Sequence, residues 1–215
     1  MNTPLLCPAA LRRAVLLCSL SALAAPALAL QTPLYRAAIE IMPDVFTPGD
    51  TLAGQAYAFE EGTITAATSS SISDGAAALV LTRESVAAAK GAKPVAKLIA
   101  LAAHAQEPKD FTTAPVGAIK KVLERAGWSL DEVDLFEVNE AFAAVPMRFM
   151  AEMGVPHEKV NVNGGAIALG HPLGATGAML LGTLLDELER RHLKRGLITL
   201  CVGGGMGIAT IIERV

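Results

Sequence analysis

Aromatic rings, charge and cysteine are all scarce in this chain, and each shortage excludes something. Only 18% of its 215 residues are charged, and the net charge is −3, with no lysine and arginine cluster. That leaves no electrostatic footprint for nucleic acid and no polyelectrolyte tail. The three cysteines, Cys7, Cys18 and Cys201, lie too far apart for a zinc site or a disulfide framework, so no metal is expected. Aromatics make up 4% of the chain, and neither a heptad run nor an internal repeat is found. What remains is an apolar composition, 52% hydrophobic with 19 glycines. This is the material of a small-molecule enzyme domain with a real core.

The first 29 residues form a separate segment. They contain no acidic residue, and Arg12 and Arg13 precede an apolar stretch that ends Ala27-Leu28-Ala29. A basic start, a short apolar region and an A-x-A site make a signal-like pattern, with cleavage after Ala29. Proline at 26 and the short length argue against a stable membrane span. A mitochondrial presequence and a miscalled start joined to foreign sequence are the competing readings. Residues 30–61, punctuated by Pro33, Pro43, Pro48, Gly49 and Gly54, read as an irregular linker or remnant.

From residue 62 to 215 strand and helix signals alternate, the mark of an α/β sheet. An apolar run at 76–81 reads as a short buried element. Strands are predicted at 95–103, 135–138, 159–163, 196–202 and 206–213, which makes a mixed five-stranded sheet with helices on both faces. Helices are predicted at 85–90, 115–126, 141–153 and 174–191. The second has Val116, Ile119, Val122 and Leu123 at helical spacing, Pro115 at its start and Gly127 beyond its end.

Four local patterns carry chemistry-bearing residues: Ser69-Ser70-Ser71-Ile72-Ser73-Asp74-Gly75, Asn139-Glu140-Ala141-Phe142, Gly170-His171-Pro172 and Cys201-Val202-Gly203-Gly204-Gly205. Taken singly, each has an ordinary structural reading. Asp74-Gly75 is a turn, Asn139 a helix N-cap, His171 a core or surface histidine, and Cys201 a small buried hydrophobe. His104, His157 and His192 fit no pattern and read as surface or loop residues.

In this order and spacing the four resemble the C-terminal half of a thiolase, of the acetyl-CoA acetyltransferase or 3-ketoacyl-CoA thiolase type. The resemblance runs from about Thr63 to Val215. The stretch from Asn163 to Pro172, Asn-Gly-Gly-Ala-Ile-Ala-Leu-Gly-His-Pro, is its most specific part. It implies a thiolase-like C-terminal half-domain that acts on acyl-CoA or acetoacetyl-CoA by Claisen condensation or thiolysis. Coenzyme A thioester is then substrate, and no resident cofactor is implied. By this resemblance Cys201 is the general acid/base, and His171 donates to the thioester oxygen and assists a nucleophilic cysteine. Asn139 holds a water as the second donor of that oxyanion hole, and the Gly203 N–H joins a second one. Ser70 matches the serine that touches the pantetheine arm, while Ser71 and Ser73 stand where many members have Gly and Asn.

The family's nucleophilic cysteine belongs to its first half, and neither Cys7 nor Cys18 sits in a matching context. The expectation is a catalytically incomplete half, cytoplasmic by family, that pairs with a separate N-terminal half or with itself. The alternative is a non-enzymatic remnant of the fold. The helix at 174–191 is apolar on nearly every side over its first half, and such a helix must be covered all round. The isolated chain should therefore elute from size-exclusion chromatography as oligomer or aggregate, and a well-behaved monomer would sink this expectation.

Overall fold

A computed structural model describes residues 64–215; the signal-like segment at 1–29 and the segment at 30–61 lie outside them. Four strands form one mixed sheet in the order β1-β4-β3-β2: β1 Ala96–Ala105, β2 Leu135–Val138, β3 Arg195–Val202 and β4 Met206–Arg214. The β1–β4 and β4–β3 pairs are antiparallel, and β3–β2 is parallel.

The fifth expected strand, at 159–163, is a correction. It supplies one isolated parallel bridge, Val160 to Phe136, beside the edge of β2. Asn161 enters the left-handed region (φ 47) and the chain turns there, so no ladder continues. A second correction concerns 76–81, which has no regular structure and is not buried: Leu79, Val80 and Leu81 are all exposed. An apolar strand is buried only when a sheet receives it, and the described sheet does not reach this run.

The helices follow the sequence more closely. They are α1 Glu84–Ala89, α2 Ala114–Ala126, α3 Ala144–Met153, α4 Ala166–Leu169 and α5 Leu173–Arg190. Pro115 lies in the first turn of α2, and Gly127 closes it at φ 67, a left-handed position that suits glycine. Val116, Ile119, Val122 and Leu123 all point into the core. The expected helix at 141–153 starts three residues late, because Ala141 and Phe142 are held in the bonds described below.

Two apolar layers clamp the sheet. On one face α2 and α3 pack Ile119, Val122 and Phe149 against Phe136, Leu197 and Ile211. On the other, α5 packs Leu180, Leu184 and Leu188 against Leu135, Ile198 and Ile212. The second layer is incomplete. α5 lies over β2 and β3, while Leu98, Leu101, Met206 and Ile208 on the same face of β1 and β4 remain exposed. On α5 itself Met179, Leu181 and Leu185 are half-buried and Leu173 is exposed. Among the described residues, no helix is long and apolar enough to cross a membrane.

Two features give the fold testable weak points. A Cβ on Gly207 would stand 2.4 Å from the Ala114 carbonyl carbon, so α2 rests directly on β4. Gly207→Ala should lower stability by about 1–3 kcal/mol, the usual cost of overpacking, read as a lower urea midpoint at unchanged slope. Glu137 on β2 is 2% exposed, and burial pushes its carboxyl up to about 8, with Glu140 and Glu187 adding repulsion. The folded state therefore holds a proton that the unfolded chain releases near its ordinary value of 4.5. Stability from this group should fall as pH rises from about 4.5 to 8, and Glu137→Gln should flatten that slope in melts across the range.

Candidate active site

The parallel pairing of β2 with β3 brings the carboxyl ends of both strands to one edge of the sheet, where open α/β sheets bind ligands. Asn139 follows β2 directly and extends the ladder, its N–H donating to the Thr199 carbonyl at 3.0 Å. Cys201 sits near the end of β3. The chain then returns from 161 to 171 through a glycine-rich stretch that delivers His171 to the start of α5.

Gly170 makes that delivery possible. Its φ is +89, and a Cβ there would meet Ser73 Oγ at 2.2 Å. The peptide beyond it pairs with the serine segment, with the His171 N–H donating to the Ser71 carbonyl at 2.9 Å. On its other side the same segment holds the loop after β2. The Ser70 N–H and its hydroxyl both donate to the Ala141 carbonyl, at 3.0 and 3.3 Å. Residues 69–72 thus tie the Asn139 loop to the His171 loop, with isolated bridges Ser69 to Phe142 and Ile72 to His171.

At the centre stands the imidazole of His171, between Asn139 Nδ2 (3.2 Å from Nε2) and Thr176 Oγ1 (2.7 Å from Nδ1). The Thr176 hydroxyl donates its own proton to the Pro172 carbonyl at 3.1 Å. It therefore accepts from Nδ1–H, which leaves the lone pair on Nε2, facing the Asn139 amide N–H. Burial pushes the histidine's pKa below its usual value, so the ring is neutral at neutral pH. Asn139 is fully buried, and its Oδ1 has no hydrogen-bond partner among the described residues.

Asn139, His171 and Ser70 thus belong to one bonded unit. Cys201 does not join it. Its side chain packs with the apolar layer under α2 and α3, and no hydrogen bond links the thiol to Asn139 or His171. Burial pushes the Cys201 thiol up to about 11, so it rests protonated. Gly203 is exposed in the three-glycine turn between β3 and β4. His157 and His192 are exposed, as expected, but His104 is half-buried on β1. Its ring fills the space over Gly117 on α2, and its buried Nδ1 has no partner among the described residues.

Two residues of this region escaped the sequence reading. Thr176 lies five residues after His171 in the first turn of α5, and a hydroxyl one turn beyond a histidine was its signal. Glu137 was signalled by its charge, the one acidic group within a buried four-residue strand. Among the described residues no grouping of His, Cys, Asp and Glu could hold a metal ion.

Comparison with known proteins gives this arrangement a context. The family model for the thiolase C-terminal domain matches residues 92–214, and that for the thiolase N-terminal domain matches residues 43–85. The second match carries the likeness some twenty residues further back than the sequence motifs do. An acetyl-CoA acetyltransferase of Paracoccus denitrificans is 49% identical over 155 residues, covering 72% of this chain and 40% of that protein. The cytosolic acetyl-CoA acetyltransferase of Mus musculus is 50% identical over 153 residues, 71% of this chain and 38% of that protein. The crystal structure of the Bacillus anthracis acetyl-CoA acetyltransferase superposes with a TM-score of 0.73 at 35% identity, covering 95% of this chain and 55% of that one. The chain spans about two-fifths of the length of the curated relatives it matches. Since the C-terminal domain match alone takes in more than half of the sequence, the chain whose Asn139 and His171 meet at this sheet edge belongs to the thiolase family.

Proposed function

We propose that this chain supplies the Claisen half of a thiolase-type acyltransferase site, acting on acetyl-CoA or acetoacetyl-CoA. The observation that carries the reading is the hydrogen-bonded line Asn139–His171–Thr176, which holds a neutral imidazole with its lone pair on Nε2. Such a ring can take the proton from a nucleophilic thiol. As imidazolium it then donates that proton's hydrogen bond to a thioester oxygen, where negative charge develops as an enolate forms. The orphaned Asn139 Oδ1 suits a water held as a second donor to the same oxygen. Cys201 rests as a thiol, the form that protonates an enolate leaving in thiolysis. As a base in condensation it would first need its pKa lowered, and bound substrate or a second polypeptide would have to do so. Gly203 and Ser70 are assigned to the acyl-enzyme oxyanion hole and to the pantetheine arm. The nucleophile comes from a thiolase N-terminal half, which also covers the bare face of β1 and β4.

A second reading, a remnant that keeps the fold without turnover, draws on the raised Cys201 thiol and on the absence of a hydrogen bond between it and His171. One experiment decides between them. The purified chain should show no acetoacetyl-CoA thiolysis. Co-expression with the N-terminal half of one of its acetyl-CoA acetyltransferase relatives should restore it, and His171→Asn or Cys201→Ala should each reduce the restored rate by roughly 100-fold or more. Activity of the chain alone contradicts the missing nucleophile. A complemented enzyme indifferent to His171→Asn contradicts the site assignment, and a folded complex without turnover supports the remnant.

A further inference from the structure

The loop that ends β2 and the loop that delivers His171 are joined a second time, independently of the serine segment. Asn161, whose left-handed backbone ends the strand expected at 159–163, lays its side chain against β2. Its Oδ1 accepts from the Val138 N–H at 2.7 Å, and its Nδ2 donates to the Val138 carbonyl at 2.8 Å. The amide thereby pairs with β2 as a neighbouring strand residue would. The second Nδ2 proton goes to Glu140 Oε1 at 2.8 Å. The other carboxylate oxygen, Oε2, accepts from the Ile167 N–H at 3.2 Å. That N–H lies in the first turn of α4, where the helix itself supplies no partner. Gly165 makes room for this seat, because a Cβ there would collide with the Glu140 carboxyl group.

Glu140 therefore spans the two loops beside the residues that meet at the site. It directly follows Asn139, and Ile167 lies one helical turn before His171. The chain between Ile167 and His171 has little slack: it is α4, with the Gly170 N–H donating back to the Ala166 carbonyl at 2.8 Å. A shift of Ile167 relative to Glu140 is thus passed to the 3.2 Å contact between Asn139 Nδ2 and His171 Nε2. Both groups that the carboxylate meets are donors, so each oxygen must accept. A carboxylate supplies an acceptor at both positions, and a carboxamide at only one.

We propose that Glu140 is a positioning residue for the Asn139–His171 pair: its carboxylate, seated on Gly165 and bonded to Asn161 and to the Ile167 N–H, fixes the separation of the loop after β2 from the loop that carries His171. Asn139 covers Nε2, the ring nitrogen that bears the lone pair, only while that separation is kept. The proposal rests on the thiolase-site reading for its effect on turnover, and on the bond geometry alone for its effect on the ring.

The ring is tested with diethyl pyrocarbonate, which the lone pair of a neutral imidazole attacks. Carbethoxylation of each histidine is followed by peptide mass spectrometry on the whole chain, with the exposed His157 and His192 as the internal rate. Wild-type His171 should react slowly relative to them. Glu140→Gln, which sets an N–H against one of the two donors, should raise that ratio by roughly tenfold. Gly165→Ala, which displaces the carboxylate from its seat, should do the same. Glu140→Asp keeps both acceptors on a shorter arm and should fall between, and it carries the comparison if the glutamine variant does not fold. Val122→Ala, which opens a cavity in the α2 layer, should leave the ratio at its wild-type value. In the enzyme complemented with an N-terminal half, Glu140→Gln should lower kcat by roughly 10- to 100-fold with KM for acetoacetyl-CoA little changed. Labelling of His171 that stays at the wild-type rate in the Glu140 and Gly165 variants overturns the proposal. An equal rise in Val122→Ala overturns it too, since general loosening would then explain the result. Raised labelling beside an unaltered kcat contradicts the thiolase-site reading and supports the positioning of the ring.

Discussion

The parallel pairing of β2 with β3 is the constraint from which the site follows. β4 reaches β3 through a tight glycine turn, and β1 pairs antiparallel with β4 at the edge, so neither pairing decides where a ligand sits. The parallel pair requires the chain to leave the end of β2, cross over α3, α4 and α5, and return to the start of β3. Everything between Asn139 and Leu193 is therefore crossover, and its two turns at the carboxyl end of the sheet are the loops that hold Asn139 and His171. A four-residue strand whose members are all buried anchors this crossover.

Electrostatics in this region is governed by burial more than by ion pairs. The pKa shifts at Glu137, His171 and Cys201 all favour the neutral form, with desolvation as the leading cause. A neutral imidazole held by two hydrogen bonds in buried surroundings suits chemistry in which charge appears only along the reaction path, where a few oriented dipoles count for more than in water. Glu187 stands apart, held ionised near a pKa of about 2 chiefly by Arg190. It belongs to the outer end of α5, away from the imidazole.

Legibility in the sequence tracked how locally each feature is determined. α2 was readable because proline, apolar spacing and glycine all lie within its own fifteen residues. The strands from 95, 135, 196 and 206 were readable because each finds its partners within this half of the fold. The apolar run at 76–81 has a strand's composition but no sheet here to bury it, and pairing is a property of two segments. The run at 159–163 failed because a left-handed Asn161 ends it, which alternation does not reveal. The site residues were legible as motifs, and their grouping was not. Nothing in the residues around Cys201 signals that its side chain packs into the apolar layer under α2 and α3, and Thr176 acquires its role only when α5 begins where it does.

The serine segment at 69–72 has a consequence for how the molecule reaches its final state. The bond from Ser70 to Ala141 closes a loop of 71 residues, and the one from His171 to Ser71 closes a longer one. Contacts of such separation carry a large ordering entropy; the β1–β4 pairing spans more residues still, but a nine-pair ladder and an apolar layer support it, whereas the serine segment is held by a few bonds. α2, the β3–β4 hairpin and the packing of α5 are all closer in sequence or supported by larger apolar areas. The stitch that joins the Asn139 loop to the His171 loop is thus among the last parts of the chain to assemble. A folding intermediate with both apolar layers in place but residues 69–72 undocked would have every strand of the sheet and no site.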